Sequence, residues 1–432
     1  ILSTNRSDGS GVSRRALLAA APAGALSVAA SAYAAGSDVI KVGVIGCGAR
    51  GPDAARNAMI ADKGVRITAM GDLMPDRAQE KRSALKVKFP EQVTATSDEC
   101  FGGLDAYKKV IECSDVVIIA NAAKFHPMHL MAAIDAGKHV FVEKPHAIDP
   151  AGVRQVREAC AKAKQKGLCV VSGLHSRYQP GYIETVRRIQ DGAIGRVVSI
   201  EENFLRAPYG IYTRKPGLNE VEWQGSNQYH FHWLCGDDVT QSLIHNLDRA
   251  SWVLNDAAPL KCHGMGGRST LRGEQYGSVF DHHAVVYEFP GPVRVYAFCR
   301  TIPGCYNESS SVLSGSRGSG NILRKRIGGE TTWSFEGKDV DGHQAEHDEL
   351  FKALRAGKTI NNGDYMTRST LIAVMGQISC YTGQEITWEQ ISNSSFCFEP
   401  KPEDVRTDME PPVKPDAEGI YPVYVPGVTK LI

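Results

Sequence analysis

Three glycines spaced as Gly46-Cys47-Gly48-Ala49-Arg50-Gly51 offer the first chemistry in this sequence. A GxGxxG turn that leaves a strand and opens a helix lets the backbone approach a pyrophosphate, and the helix start adds N–H groups and a positive dipole end. The apolar run Lys41–Gly46 before the turn and the helix-compatible Ala54–Met59 after it supply that setting, without which the glycines are a weak signal. Asp72 closes the next apolar run, about 20 residues further on, where a carboxylate accepts hydrogen bonds from both adenosine ribose hydroxyls and repels a 2′-phosphate. The expected cofactor is therefore NAD, with NADP disfavoured, although Arg77 lies close enough in sequence to leave the choice open. Gly46, Gly48, Ala49, Arg50, Gly51 and Asp72 are the first cofactor-binding candidates.

Such a turn needs a parallel sheet to hold it. Short apolar runs at Lys41–Gly46, Val65–Met70, Asp115–Ala120, His139–Val142 and Leu168–Ser172 alternate with helix-like segments, the βαβ pattern. One connecting helix is well marked: Asp149 caps it, Pro150 suits its first turn, Val153, Val156, Ala159 and Cys160 share a face, and Gly167 ends it. After about Gly173 the texture changes to a polar aromatic segment (Tyr209 to Trp233), a helical stretch near Asp238–Leu254, and strand-like runs at Ala284–Phe289 and Val293–Cys299. Amphipathic helices follow at Glu346–Ala356 and Ser369–Cys380, then an extended, proline-rich tail from Pro411 to Ile432. The predicted fold is α/β plus α+β: an N-terminal Rossmann doubly wound parallel sheet over residues 36–172, and a C-terminal α+β domain with an open, mainly antiparallel sheet over 173–432.

A formal charge of +1 gives no electrostatic reason to expect nucleic acid or a membrane surface as partner, which leaves a small molecule. The cysteines, from Cys47 to Cys397, form no CxxC pair and no regular framework, so they read mostly as buried thiols. Secretion of an unfolded chain through an oxidising compartment conflicts with that. However, Ser13-Arg14-Arg15, the alanine-rich stretch Ala16 to Ala30 and the small-x-small Ala32-Tyr33-Ala34 resemble a Tat-type signal peptide over residues 1–35, and such signals imply export of already folded protein to the periplasm or beyond. No other apolar run approaches about 20 residues, so no membrane span is expected.

Several segments together resemble the glucose-fructose oxidoreductase and inositol dehydrogenase (Gfo/Idh/MocA) family: the GxGxxG, Glu143-Lys144-Pro145, Gly173-Leu174-His175-Ser176-Arg177-Tyr178, and Gln241-Ser242-Leu243-Ile244-His245-Asn246-Leu247-Asp248. The resemblance implies that Glu143 and Lys144 lie at the nicotinamide end of the cleft, where the Lys144 ammonium hydrogen-bonds the reacting hydroxyl and stabilises a developing alkoxide. It implies that His245 is the catalytic base for oxidation and acid for reduction. Inositol-dehydrogenase-like members carry Asp four residues before that histidine, on the same helical face; here it is Gln241, which can orient an imidazole but not stabilise imidazolium by charge. His245 should then be less basic unless Asp237 or Asp238 compensates, and Tyr178, Tyr229 and His230 stand as substitutes.

Asn121 and His126 occupy the family's loop after a strand, where Asn121 could contact the nicotinamide ribose and His126 either touches cofactor or packs at a helix start. Arg177 and Tyr178 are substrate-contact candidates, and Trp223, Asn227, Tyr229, His230 and Trp233 could form a sugar platform of aromatic faces and polar groups. His282-His283, His343 and His347 show no carboxylate partners for a metal cage, so no catalytic metal is predicted. The resemblance also implies a homodimer or homotetramer.

The expected activity is that of an exported oxidoreductase moving hydride between a tightly bound NAD(H) and a sugar, glycoside or cyclitol, with the cofactor recycled in place because no soluble nicotinamide pool is expected outside the cytoplasm. An NAD-dependent glycosidase acting by transient oxidation, and a non-catalytic sugar-binding or sensory protein, remain alternatives.

Overall fold

The computed structural model describes residues 39–432; the Tat-like segment lies outside the described residues. The first half alternates β1 (Ile40–Ile45), α1 (Arg50–Ala61), β2 (Val65–Asp72), α2 (Pro75–Lys88), β3 (Cys100–Gly102), α3 (Ala106–Glu112), β4 (Val116–Ile119), α4 (His126–Asp135), β5 (His139–Val142), α5 (Pro150–Gln165) and β6 (Val170–Ser172). All six strands are parallel, in the order β3-β2-β1-β4-β5-β6. The order reverses between β1 and β4, the crevice where doubly wound sheets take their ligands. Ile40, Val42 and Val44 are fully buried, as are Val116 and Val117, because helices cover both faces. Asp149 caps α5 as the sequence predicts, its Oδ1 accepting from Gly152 N at 2.7 Å.

The second half comprises α6 (Pro180–Gln190), β7 (Val197–Leu205), α7 (Glu220–Ser226), α8 (His232–Cys235), α9 (Ile244–Val253), β8 (Lys261–Gly267), β9 (His282–Phe289), β10 (Val293–Arg300), β11 (Glu308–Gly315), β12 (Gly318–Asn321), β13 (Arg326–Gly329), β14 (Trp333–Ser334), α10 (Gly342–Arg355), α11 (Gly363–Thr382), β15 (Ile386–Thr387) and α12 (Trp388–Asn393). Its nine strands run β14-β13-β12-β11-β7-β10-β9-β8-β15, antiparallel throughout except for the β7–β10 pair. One face carries Val285, Tyr287, Val295 and Ala297, all fully buried, beneath α9 and α11.

The structure departs from the sequence reading in three places. Strand β3, three residues long beside Gly102-Gly103, has no periodicity to betray it. The helical stretch near Asp238–Leu254 is not one α-helix: Val239–Leu243 forms a π-helical turn before α9. And the chain does not stay in its second domain after residue 173. Leu350, Phe351 and Leu354 of α10 join the core of α1 and β1, while Val170 N donates to the Ile360 carbonyl and Asn362 N to that of Val170, extending the β6 edge. Part of the second half thus packs on the first sheet across the boundary drawn at 172/173.

Two histidines buried in this frame set an acid limit on stability. His129 stacks on Tyr107 with ring centroids 4.1 Å apart, and neither ring nitrogen has a hydrogen-bond partner among the described residues; His146 sits between Thr370 Oγ1 and Ser172 Oγ at 2.9 and 2.8 Å. Burial, and next the neighbouring His126, depress each to about 3. The unfolded chain binds these protons below about 6.5 and the folded chain refuses them, so the stabilisation present above pH 6.5 is lost progressively as the pH falls towards 3. Urea melts should show stability declining below pH 6.5, by up to about 1.4 kcal/mol per pH unit for each histidine, and His129→Phe should reduce that slope.

Candidate active site

The glycine turn is shaped by contacts a side chain would break. Gly46 has φ +96°, and a Cβ there would meet Asn121 N at 2.4 Å; one on Gly51 would meet the Gly46 carbonyl oxygen at 1.8 Å. Gly48 differs: a Cβ would meet nothing within 4 Å, because this residue faces an open cleft. The cleft holds about 940 Å³ of empty space and runs from Gly46 and Gly48 past Asp72 to Leu104 and Tyr107. Asp72 ties the turn to β2, its Oδ2 accepting from Cys47 N at 2.8 Å and its Oδ1 from Met74 N at 2.9 Å, with Arg77 Nη1 3.5 Å from Oδ1. An open Gly48, a carboxylate at the end of β2 and the N-terminus of α1 together fit a dinucleotide.

A roof from the second half covers this cleft. Tyr212, Gly225, Ser226 and Gln228 line it, and α7 comes so close that a Cβ on Gly225 would lie 2.4 Å from Leu73 Cδ2. Residues beyond α12 strap the roof down. Tyr421 hydrogen-bonds Glu220 through its hydroxyl and meets Phe231 edge-on at 4.9 Å, Gln224 donates to the Val413 carbonyl at 2.7 Å, and Val405 packs in the same cluster as Trp223 and Trp233.

Where the cleft passes Asn121 it opens into a chamber of about 360 Å³, lined by Arg50, Glu143, Lys144, Tyr229 and Gln241 among others. Lys144 Nζ donates to the Gln241 carbonyl at 2.8 Å, a contact made inside the π turn. Glu143 Oε1 accepts from Arg50 Nε and Nη2 at 3.0 and 2.8 Å. Burial opposes the Glu143 charge, but Arg50 and then Lys144 outweigh it and hold the carboxyl below its usual range. Asn121 Oδ1 is buried beside this junction without a partner among the described residues, an acceptor open to a ligand.

The structure therefore brings Gly46, Gly48, Ala49, Arg50, Asp72, Asn121, Glu143, Lys144, Tyr229 and Gln241 to the cleft and chamber. His126 stands behind the wall, its Nδ1 2.8 Å from the Pro145 carbonyl and its Nε2 3.0 Å from that of Asn121, joining the two loops rather than facing the cleft. The π turn alters the relation assumed between Gln241 and His245. Gln241 Nε2 reaches the Tyr229 carbonyl at 3.3 Å and Asp238 Oδ1 at 3.4 Å, not the imidazole. Neither aspartate compensates: Asp237 accepts from Phe280 N and the Tyr381 hydroxyl, and Asp238 from Arg206 and Ser242. Burial, then Lys144 and His175, push the His245 pKa well below its ordinary value.

Other candidates lie elsewhere. Trp223 and Trp233 are each 1% exposed in the core under the roof, Trp233 donating to Gln224 Oε1 at 2.7 Å, so they offer no face to a sugar. Asn227 donates to the Gln275 carbonyl, His230 is buried with Nε2 unpaired, and the Tyr178 hydroxyl donates to Asn362 Oδ1 at 2.8 Å. His282 and His343 do have carboxylate neighbours, Asp281 at 2.7 Å and Glu346 at 3.6 Å, and His283 lies 3.6 Å from Asp237. No group of three among the described residues has metal-binding geometry. All eleven cysteines are unpaired, seven of them buried.

Arg177 is committed to an ion-pair hub: it makes contacts of 2.9 to 3.1 Å to fully buried Asp248, reaches Asp256, and stacks 4.1 Å from the Tyr365 ring. Truncating it strands a buried carboxylate. Arg177→Met should lower unfolding stability by about 3 kcal/mol in urea melts, and Arg177→Lys should recover only part of that, lacking the planar fork.

Sequence reasoning missed Leu104, Tyr107 and His129 at one end of the cleft, and the roof. The first two follow β3 and start α3, so recognising that strand would have pointed to them; the roof carried no signal of its own.

The fold and cleft define a two-part protein built on a dinucleotide-binding Rossmann sheet. Residues 40–173 match the family described as "Oxidoreductase family, NAD-binding Rossmann fold" (GFO_IDH_MocA). The chain is 32% identical over 217 residues to an inositol 2-dehydrogenase of Acidothermus cellulolyticus, covering 50% of this chain and 54% of that protein. It is 29% identical over 221 residues to inositol 2-dehydrogenase 2 of Saccharopolyspora erythraea, covering 50% and 60%. The chain thus spans little more than half the length of these relatives. Among solved structures, GenD2 from gentamicin A biosynthesis, in complex with NAD, aligns with a TM-score of 0.60 at 17% identity over 82% of this chain and 97% of that one. An aldose-aldose oxidoreductase from Caulobacter crescentus aligns with 0.59 at 17% over 81% and 99%. At that identity these likenesses speak to fold. Over residues 40–173 the chain is similar to the NAD-binding Rossmann domain of that oxidoreductase family.

Proposed function

We propose that this protein is an exported, NAD-dependent carbohydrate oxidoreductase that holds its cofactor tightly and recycles it in place. The observation that carries the reading is the position of Lys144: its ammonium, held by the Gln241 carbonyl, opens on a chamber continuous with the glycine cleft. Bound NAD supplies the two-electron acceptor or donor. Gly46, Gly48 and the start of α1 cradle its phosphates, Asp72 takes the adenosine ribose and favours NAD over NADP, and Asn121 Oδ1 takes the second ribose. Lys144 hydrogen-bonds the reacting oxygen and stabilises negative charge on it. His245 takes or returns the hydroxyl proton; its Nδ1 is buried and unpaired while the residue remains partly exposed. Burial, then Lys144, lower its pKa, which favours the neutral imidazole and weakens it as a base. Tyr229 and Gln241 orient the sugar.

Tight retention is supported by the roof and its strap, which cover the adenosine end. Sugar or cyclitol as substrate is supported by the relatives, whose names specify inositol. Export rests on residues 13–34, and fractionation of cells producing the full chain checks it. A homodimer is supported by the outer face of β8–β10, where Met265 is 69% exposed beside part-exposed Val286, Tyr296 and Phe298; light scattering reads the mass.

The reading is tested by denaturing the purified protein, identifying released ligands by mass spectrometry, and screening sugars and cyclitols against the native protein. Released NAD, with nicotinamide absorbance that responds to a sugar and a keto-sugar product, is the expected result. A cleaved glycoside would instead indicate glycosidase action, and sugar binding with no spectral change a sensory protein.

A further inference from the structure

Beside Lys144 the structure gathers ionisable side chains that the reading above leaves unused. The His245 ring lies 4.9 Å from that of His175, between centroids, and the His175 ring lies 4.0 Å from that of His343. His343 Nδ1 is 3.6 Å from Glu346 Oε1. Gly342 permits the approach, since a Cβ there would lie 2.7 Å from the His175 carbonyl oxygen. These side chains come from a 3-10 turn (His175–Tyr178), α9 and α10, so the row exists only in the folded protein.

The far end of the row is unusual. Glu346 is 0% exposed, and neither of its carboxyl oxygens has a hydrogen-bond partner among the described residues. His347 Nε2 of the same helix, and His175 Nδ1 and Asn57 Oδ1 from neighbouring elements, are also buried and unpaired among the described residues. Buried polar groups are normally satisfied, and a buried unpaired carboxylate is costly, so such a concentration marks a place for bound water and for a proton. The chamber's own charges decide which carboxyl takes it. Arg50 from α1 is bonded to Glu143, and the same Nη2 lies 3.4 Å from His343 Nδ1, so the one guanidinium is shared and offsets the Glu346 charge only in part. Burial, then the Glu143 charge, push Glu346 well above the ordinary carboxyl range, while burial, then His343, lower His175 to about 3. Lys144, Arg249 and Asp341 complete the charged surroundings.

We propose that His175 and His343 form a buried relay that carries the substrate's hydroxyl proton between His245 and the Glu346 carboxyl, so that the protein keeps that proton while its cofactor is reduced. The proposal rests on the oxidoreductase reading and deepens it. In the oxidative direction the substrate C–H hydrogen leaves with its electron pair to the nicotinamide, the named co-reactant. The O–H bond breaks, its electrons forming the carbonyl, and its proton passes to His245 and along the imidazoles to the Glu346 carboxylate, which becomes a carboxylic acid. Reduction of a second carbonyl runs the same path backwards. The positive ring of oxidised nicotinamide favours the ionised carboxyl, and its neutralisation on reduction favours the acid. His175, His343 and Glu346 act through His245 and are positioning residues.

The test is infrared difference spectroscopy on the full protein saturated with NAD, comparing the oxidised state with that reduced by dithionite in the absence of sugar. A carboxylic acid C=O band should rise on reduction and shift in D2O. It should be missing in Glu346→Gln and displaced but present in Glu346→Asp, which covers a failure of the first variant to fold. With a sugar that reduces the cofactor, a pH-indicator dye should record almost no proton release from the wild type and about one proton per cofactor from Glu346→Gln. His175→Phe should slow the sugar reaction about 10-fold and flatten its pH profile. A spectrum without the band, a band unchanged in both Glu346 variants, or full proton release from the wild type overturns the relay. If the band follows dithionite reduction but no sugar alters the nicotinamide, the relay stands and the carbohydrate reading fails.

Discussion

Lys144→Met should fold, retain its dinucleotide and reduce that dinucleotide with sugar about a thousandfold more slowly than the wild type. The thermal midpoint should hardly move, because the side chain is partly exposed and Nζ contacts a backbone carbonyl rather than a buried carboxylate. The rate should collapse because the ammonium meets an oxygen that gains charge as the C–H bond breaks, and one such donor contributes most when the charge is greatest. The loss should therefore fall on kcat, with KM little changed. Lys144→Arg should not restore it, since a planar guanidinium cannot take the place of a compact ammonium held by the Gln241 carbonyl. Stopped-flow absorbance of the bound nicotinamide gives the rate, and a variant within a few-fold of the wild type would remove Lys144 from the chemistry.

Gly48→Val should separate cofactor binding from folding. The space a side chain would enter there is empty of protein, so stability without cofactor should stay within about 0.5 kcal/mol. Dinucleotide affinity should fall about 100-fold, equivalent to about 2.7 kcal/mol, if the pyrophosphate needs that space. Gly51→Ala is the contrasting case: its Cβ would lie 1.8 Å from the Gly46 carbonyl oxygen, so folding and binding should fail together. Calorimetric titration of NAD into the apoprotein, alongside urea melts, distinguishes the two. Full affinity in Gly48→Val would place the cofactor elsewhere.

What was legible follows from how locally each feature is encoded. The first sheet could be read because strands buried on both faces are continuous apolar runs, and the glycine turn because its three conformational demands fall within six residues. The roof was not legible: Tyr209 to Trp233 has no period, and its aromatics suggested a sugar surface, whereas Trp223 and Trp233 fill a core closed by residues almost 200 positions away. The approach of α7 to Leu73 depends on the missing side chain of Gly225, which has meaning only once the two halves meet. Gln241 lines the chamber, but its relation to His245 was not legible, because the four-residue spacing presumes 3.6 residues per turn and the π turn breaks that premise. His175 lies inside the Gly173–Tyr178 stretch, yet His343, on which its ring packs, comes from α10 in the second half of the chain.

The strap has a kinetic consequence. Its hold on α7 consists of a few contacts, made by the buried Tyr421 and Val405 and the half-buried Val413. A segment so fastened detaches at a far smaller free energy than the sheets beneath it. Escape of the dinucleotide would then be governed by how often this one segment peels away rather than by the strength of the phosphate contacts. Mild urea, well below the melting range, would empty the cleft while leaving both sheets intact.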